Sequence, residues 1–176
     1  MFYEEKLTSE QIYDGIIIRV TRDTARLSGG KIVPREVAHH PGGVGIVAVT
    51  DEGKISAVRQ YRYAVGEELL EIPAGKLEPG EDPLKCAKRE LAEETGFSAK
   101  AWRALGKFYS SPGFLSETLH LYLATELTRG AAHPDEDEFL SVEEVSFADF
   151  GEMIQSGAVP DGKTIAAVFM AERIIN

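Results

Sequence analysis

The chain has 176 residues, 43% of them apolar, and 19 basic against 29 acidic side chains give a net charge of −10. That length suits one domain with a real core and a small appendage, and the acidic balance argues against nucleic acid as the main partner. Cys86 is the sole cysteine, no apolar run approaches the roughly 18 residues of a membrane span, and the start MFYEEKLTSE is too acidic for a signal peptide. A soluble, cytoplasmic protein with no disulfide and no membrane partner is therefore expected.

From Tyr13 to about His39 the pattern is extended: IIIRVT is rich in β-branched residues, and Ser28-Gly29-Gly30 breaks it before KIVPREVAHH resumes, which reads as a hairpin. Pro41-Gly42-Gly43 is a linker. VGIVAVT, a turn at Asp51-Glu52-Gly53 and KISAVRQYRY then form a second, more buried hairpin. A short strand from Glu68 to Ile72 leads through Pro73-Ala74-Gly75 to a helix from about Asp82 to Thr95. Asp82-Pro83 supplies its N-cap and first-turn proline, Gly96 its stop, and Leu84, Ala87, Leu91 and Thr95 a buried stripe, with Cys86 a small packing residue.

Beyond the helix, strands are predicted at Trp102 to Tyr109 and at Thr118 to Leu127, where Leu119, Leu121 and Leu123 alternate with His120, Tyr122 and Ala124. An acidic loop from His133 to Glu138 precedes a strand from Phe139 to Val145. Ser146 caps the helix FADFGEMIQS, which stops at Gly157, and a last helix runs from about Lys163 to Ile175. Strands interleaved with three helices indicate an α/β sandwich.

The chemistry concentrates on the first helix. Glu90 and Glu94 are four apart and repel each other by a few tenths of a kcal/mol on one helix face. A divalent cation would reverse that sign, since carboxylate oxygens are the ligands that Mg²⁺ and Mn²⁺ prefer. The wider spacing is Gly75, five residues, Glu81, seven residues, Arg89-Glu90, Leu91, Ala92, Glu93-Glu94, Thr95, Gly96, Phe97. This resembles the complete Nudix box. Leu70-Glu71-Ile72-Pro73-Ala74-Gly75, the string Ser110-Ser111-Pro112-Gly113-Phe114-Leu115-Ser116-Glu117, and Pro112 sixteen residues after Gly96 extend the likeness to the ADP-ribose pyrophosphatase branch of that family.

The resemblance implies an α/β/α sandwich with a mixed sheet, plus an N-terminal β-hairpin extension. Residues 1–41 would be the extension, exchanging strands in a homodimer, and 42–176 the Nudix domain. It implies Mg²⁺, with Mn²⁺ as a substitute, held by Glu90, Glu94, Glu93 and the Ala74 carbonyl. Arg62, Arg35 and Glu36 would bind substrate, the last two across the dimer, with Pro112, Gly113 and Glu117 in the loop that sets specificity. Arginine forks suit diphosphate oxygens. Arg89, four residues before Glu93, can hold that carboxylate in place, and Glu81 can accept hydrogen bonds at the Gly75 loop. The general base implied by the branch stands in the loop Pro134-Asp135-Glu136-Asp137-Glu138, with Glu136 first and Glu138 second.

The reaction expected on this basis is Mg²⁺-dependent hydrolysis of ADP-ribose to AMP and ribose 5-phosphate. Another ADP-sugar, a GDP-sugar or a dinucleotide remains open as the substrate, as does a non-catalytic ADP-ribose sensor. The intact box argues against the sensor. His39 and His40 border a turn with no zinc-ligand spacing nearby, His120 belongs to a sheet face, and Trp102 to core or rim.

Overall fold

Strand β4 (Gly43–Val49) is buried along its whole length, as its unbroken apolar run requires of a strand covered on both faces. In the computed structural model, which describes residues 2–133 and 139–175, it is the centre of a seven-stranded sheet. The other strands are β5 (Lys54–Arg62), β6 (Glu67–Glu71), β7 (Ala74–Lys76), β8 (Phe97–Tyr109), β9 (Thr118–Arg129) and β10 (Leu140–Ser146). Their order is β10-β5-β4-β9-β8, with β6 added to β5 and β7 to β4. The sheet is mixed: β9 runs parallel to β4, while β5 and β7 run antiparallel to it.

Alternate side chains of β4 feed two cores. Val44, Ile46 and Ala48 pack with Cys86, Ala87 and Leu91 of the helix α1 (Pro83–Thr95). Val47 and Val49 pack with Phe150 of α2 (Phe147–Gln155) and with Ala167, Val168 and Ala171 of α3 (Gly162–Ile175). The helices thus lie on both faces of the sheet, the layered sandwich expected from the sequence. On β9, Leu121 and Leu123 join the α2–α3 side, while Tyr122 and Ala124 join the α1 side, so both faces of that strand are packed.

β4 and β5 pair only at Ala48–Ser56 and Val49–Ile55 before they separate. The chain between β6 and β7 enters that opening: Ile46 N–H donates to the Pro73 carbonyl at 2.9 Å, and Gly43 to Gly45 pair with Lys76 to Ala74. Two glycines make the approach possible. A Cβ on Gly43 would come within 2.6 Å of the Gly75 carbonyl oxygen, and one on Gly45 within 3.0 Å of Ile72 Cδ1.

Residues 1–42 and 109–118 form a second unit, and 43–108 with 119–176 form the unit just described. The second unit holds a three-stranded antiparallel sheet of β1 (Glu4–Asp14), β2 (Arg19–Leu27) and β3 (Ile32–His39). The hairpin read from the sequence is its β2–β3 pair. β1 was not foreseen because it is polar and largely exposed. Cross-strand pairs accompany its backbone ladder: Arg22 with Glu10 at 2.7 Å, Arg26 with Glu5 at 2.9 Å, and Ser9 with Asp23 at 2.6 Å. Ala38 N–H donates to the Phe114 carbonyl and the Ala38 carbonyl accepts from Ser116 N–H, which ties the 109–118 segment to β3. Among the described residues, no helix is long and apolar enough to cross a membrane.

Candidate active site

Helix α1 starts where its caps dictate. Asp82 accepts hydrogen bonds from the Leu84 and Lys85 amides, Pro83 opens the first turn, and Gly96 ends it in the left-handed region at φ 72°. The buried arc is wider than the apolar stripe read from the sequence. It includes Cys86, Glu90 and Glu94 beside Ala87, Leu91 and Thr95, with Glu90 only 7% and Glu94 only 2% exposed. The two carboxylates therefore do not face open solvent. They face the backbone of the turn between β6 and β7.

That turn is shaped to receive them. Ala74 N–H donates to Glu94 Oε2 at 3.0 Å. Gly75 has no side chain, and the Glu90 carboxylate fills the space that one would take: a Cβ there would fall 1.8 Å from Glu90 Cδ. A buried carboxylate is costly unless it is paired, so helix and turn must be placed together.

Arg89 is the cation of this cluster. Its Nη1 donates to Glu90 Oε1 at 2.8 Å and to Glu93 Oε2 at 2.9 Å, while Nε and Nη2 grip both oxygens of Glu81 at 3.2 and 3.1 Å. The fourfold spacing from Arg89 to Glu93 thus forms the ion pair anticipated from the sequence. Glu81 also accepts the Glu78 amide at 3.0 Å. Arg89 and that amide together hold the Glu81 carboxyl down to about 2. Carboxylate contacts raise the Arg89 guanidinium above its usual value, the Glu81 hydrogen bond first. Burial, with the negative charges of Glu90 and Glu81 behind it, pushes the Cys86 thiol up to about 12, which suits its packing role.

Arg62, at the end of β5, belongs to the same unit. Its Nε and Nη2 bind both oxygens of Glu71 at 2.7 and 2.6 Å, and the Glu71 hydrogen bond raises its pKa, with Glu94 adding a smaller Coulombic contribution. Arg62 therefore lies within the field of Glu94. Glu71, 1% exposed, also accepts from Lys163 at the start of α3. Sequence reasoning named neither Glu71 nor Lys163 as part of the site, although an acid inside the apolar run Leu70-Glu71-Ile72 was a usable signal.

The other candidates lie in the second unit. Arg35 on β3 turns its fork onto Glu4, with bonds of 2.9 and 2.7 Å, and Glu36 pairs across the strands with Arg22. Glu117 accepts from Ser110 Oγ at 2.5 Å and lies 3.3 Å from His40 Nδ1, closing the loop that carries Pro112 and Gly113. Glu136 and Glu138 fall outside the described residues.

The donor chemistry at the turn fits a hard divalent cation: two buried carboxylates meet a backbone turn, and such ions take oxygen ligands. Among the described residues, no group of three or more His, Cys, Asp or Glu side chains is disposed to hold a metal ion. Arg89 occupies Glu93 and shares Glu90.

A NUDIX domain model matches residues 39–168. The chain belongs to the Nudix family. An ADP-ribose pyrophosphatase of Bacillus subtilis is 44% identical over 94% of this chain and 90% of its own length. A methanol dehydrogenase activator of Bacillus methanolicus is 41% identical over 96% of this chain and 92% of its own. The solved structure of an ADP compounds hydrolase superposes with a TM-score of 0.86, covering 98% of this chain and 94% of that one. At 22% identity, that likeness speaks for the fold alone.

Proposed function

We propose that this Nudix protein hydrolyses the diphosphate of ADP-ribose to AMP and ribose 5-phosphate. The observation that carries the reading is the seating of Glu90 and Glu94 against the Ala74–Gly75 turn, with Arg62 in the same electrostatic neighbourhood. The Bacillus subtilis relative, named for this activity and similar over nearly the whole chain, supports the choice of substrate.

Each residue then has a part. Glu90 and Glu94 hold Mg²⁺, or Mn²⁺ in its place, with Glu93 and the Ala74 carbonyl completing the ligand set. When bound, the ion supplies positive charge to the diphosphate oxygens, the kind of stabilisation that phosphoryl chemistry depends on. Arg62 offers guanidinium donors to the same oxygens. Arg89 and Glu81 brace the box carboxylates from the side. The Glu136 carboxylate accepts the proton of the attacking water, with Glu138 as the alternative.

The protein acts as a cytoplasmic homodimer in which Arg35 and Glu36 serve the partner's site. In the single chain, Ile12, Tyr13, Ile16, Ile17 and Ile32 of the N-terminal unit are each more than half exposed, apolar side chains that a second copy could cover. Sedimentation with and without the residues up to Pro41 tests this. A truncated protein that remains a dimer with unchanged KM would overturn it.

The activity itself is tested by incubating pure protein with ADP-ribose, NAD, ADP-glucose and GDP-mannose in Mg²⁺ and separating the products. AMP and ribose 5-phosphate from ADP-ribose at the highest kcat/KM are expected. Preference for another of the four would reassign the substrate.

A further inference from the structure

Four charged side chains alternate along one line in the sandwich unit. Arg62 grips both oxygens of Glu71; Lys163 Nζ donates to Glu71 Oε2 and, at 3.0 Å, to Asp161 Oδ2. The same Asp161 oxygen accepts the Thr164 amide at 3.0 Å and the Thr164 hydroxyl at 2.6 Å, while Thr164 Oγ1 accepts Ile72 N–H at 3.0 Å. The line is most buried at Glu71 and opens toward Arg62: the Glu71 side chain is 1% and Lys163 12% exposed, whereas Arg62 is 39% exposed.

A buried carboxylate needs full pairing, and its demand falls on whatever cations reach it. Here two cations share Glu71. Arg62 spends its Nε–Nη2 edge on that carboxylate, and its Nη1 amino group lies on the other edge of the planar fork. We propose that Lys163 is a positioning residue for anion binding: by sharing Glu71 with Arg62, it lets the guanidinium stay anchored on its inner edge and keep its outer edge for a diphosphate. This rests on the reading of Arg62 as a substrate ligand given above and adds a residue, remote from the box, that tunes it.

Removing the ammonium leaves Arg62 alone to satisfy Glu71, so its attraction for a second anion falls. The bonds from Asp161 through Thr164 to Ile72 do not pass through Lys163 Nζ, so the turn that seats Glu94 keeps its support. The effect therefore belongs in binding and not in turnover.

The test uses the full chain carrying Lys163→Met, Lys163→Gln or Lys163→Arg, and Lys163→Met combined with Arg62→Ala, with thermal melting to establish folding. KM and kcat are measured with ADP-ribose, and inorganic pyrophosphate is titrated calorimetrically in EDTA. Lys163→Met and Lys163→Gln should each raise KM and the pyrophosphate Kd by about fivefold to tenfold, within the range of couplings between contacting groups, with kcat within about twofold. Lys163→Arg should restore most of the binding. In the Arg62→Ala background, Lys163→Met should have no further effect. An equal loss in that background, or unchanged binding in both neutral variants, overturns the proposal. A wild-type protein inert toward ADP-ribose would overturn the substrate assignment instead, and the pyrophosphate arm would then decide the role of Lys163.

Discussion

The carboxylate of Glu90 occupies the space of the side chain that Gly75 lacks: a Cβ on Gly75 would meet Glu90 Cδ at 1.8 Å and its two oxygens at 1.9 and 2.3 Å. The box glycine is thus required by contact with a box acid fifteen residues further on. Gly75→Ala should expel Glu90 while leaving the sandwich folded, since overpacking typically costs about 1 to 3 kcal/mol. Misplacing a reacting group by about 1 Å can cost on the order of 10² in rate, and a loss of that size in kcat is expected. Steady-state kinetics together with a melting curve checks both parts. Activity within threefold of wild type would mean that Glu90 can work from another position.

Glu94 tests the pair from the other side. A Gln at this position can still accept the Ala74 amide through its remaining oxygen, so Glu94→Gln removes charge without removing that bond. Turnover should fall to a small residue even at saturating Mg²⁺. Stability without metal should be unchanged or higher by the few tenths of a kcal/mol that an i,i+4 repulsion costs. Denaturant titration in EDTA measures the second quantity. Near-normal turnover would remove Glu94 from the metal site.

The bounds of α1 were legible in the sequence because a cap is a local matter: Asp82, Pro83 and Gly96 act on amides and carbonyls a few residues away. The central strands were legible because a doubly covered strand such as β4 must be apolar throughout. β1 was not, because its pairing with β2 leaves polar side chains exposed and produces no alternation. Within the site, the local Arg89–Glu93 pair could be read from spacing alone. The burial of Glu90 and Glu94 could not, since it depends on a turn brought in by the separation of β4 from β5. Nor could the sharing of Glu71, whose partner Lys163 lies 92 residues away.

The Glu81–Arg89 contact has a signature in pH. Glu81 titrates near 4.5 when unperturbed and about 2 in the folded chain, chiefly through its hydrogen bonds with Arg89. A depressed carboxyl contributes stability that is fully present above its unfolded value and is lost as pH falls through the folded one. Denaturation of wild type and Glu81→Gln should therefore show a constant difference in stability above about pH 4.5, shrinking between 4.5 and 2. A difference that stays constant through that window would mean the pair contributes no proton linkage.

The remaining step is the removal of a proton from the attacking water, a part that the resemblance to the ADP-ribose pyrophosphatase branch gives to the acidic segment 134–138, with Glu136 as the first candidate. At the Gly75 turn, Glu81 and Glu93 are engaged by Arg89, and Glu90 and Glu94 are seated against the backbone. Glu136→Gln should lower kcat by about 10² to 10⁴, the usual general-base range, and change KM far less. Glu138→Gln should do much less. Hydrolysis in ¹⁸O-labelled water should place the label on the phosphate of one product only, and AMP is the product expected. If Glu136→Gln leaves kcat within about threefold, below the general-base range, the role passes to Glu138 or to Glu93. The latter requires Arg89 to release Glu93, so Arg89→Lys, which loses the planar fork that spans Glu81, Glu90 and Glu93, would then raise kcat instead of lowering it.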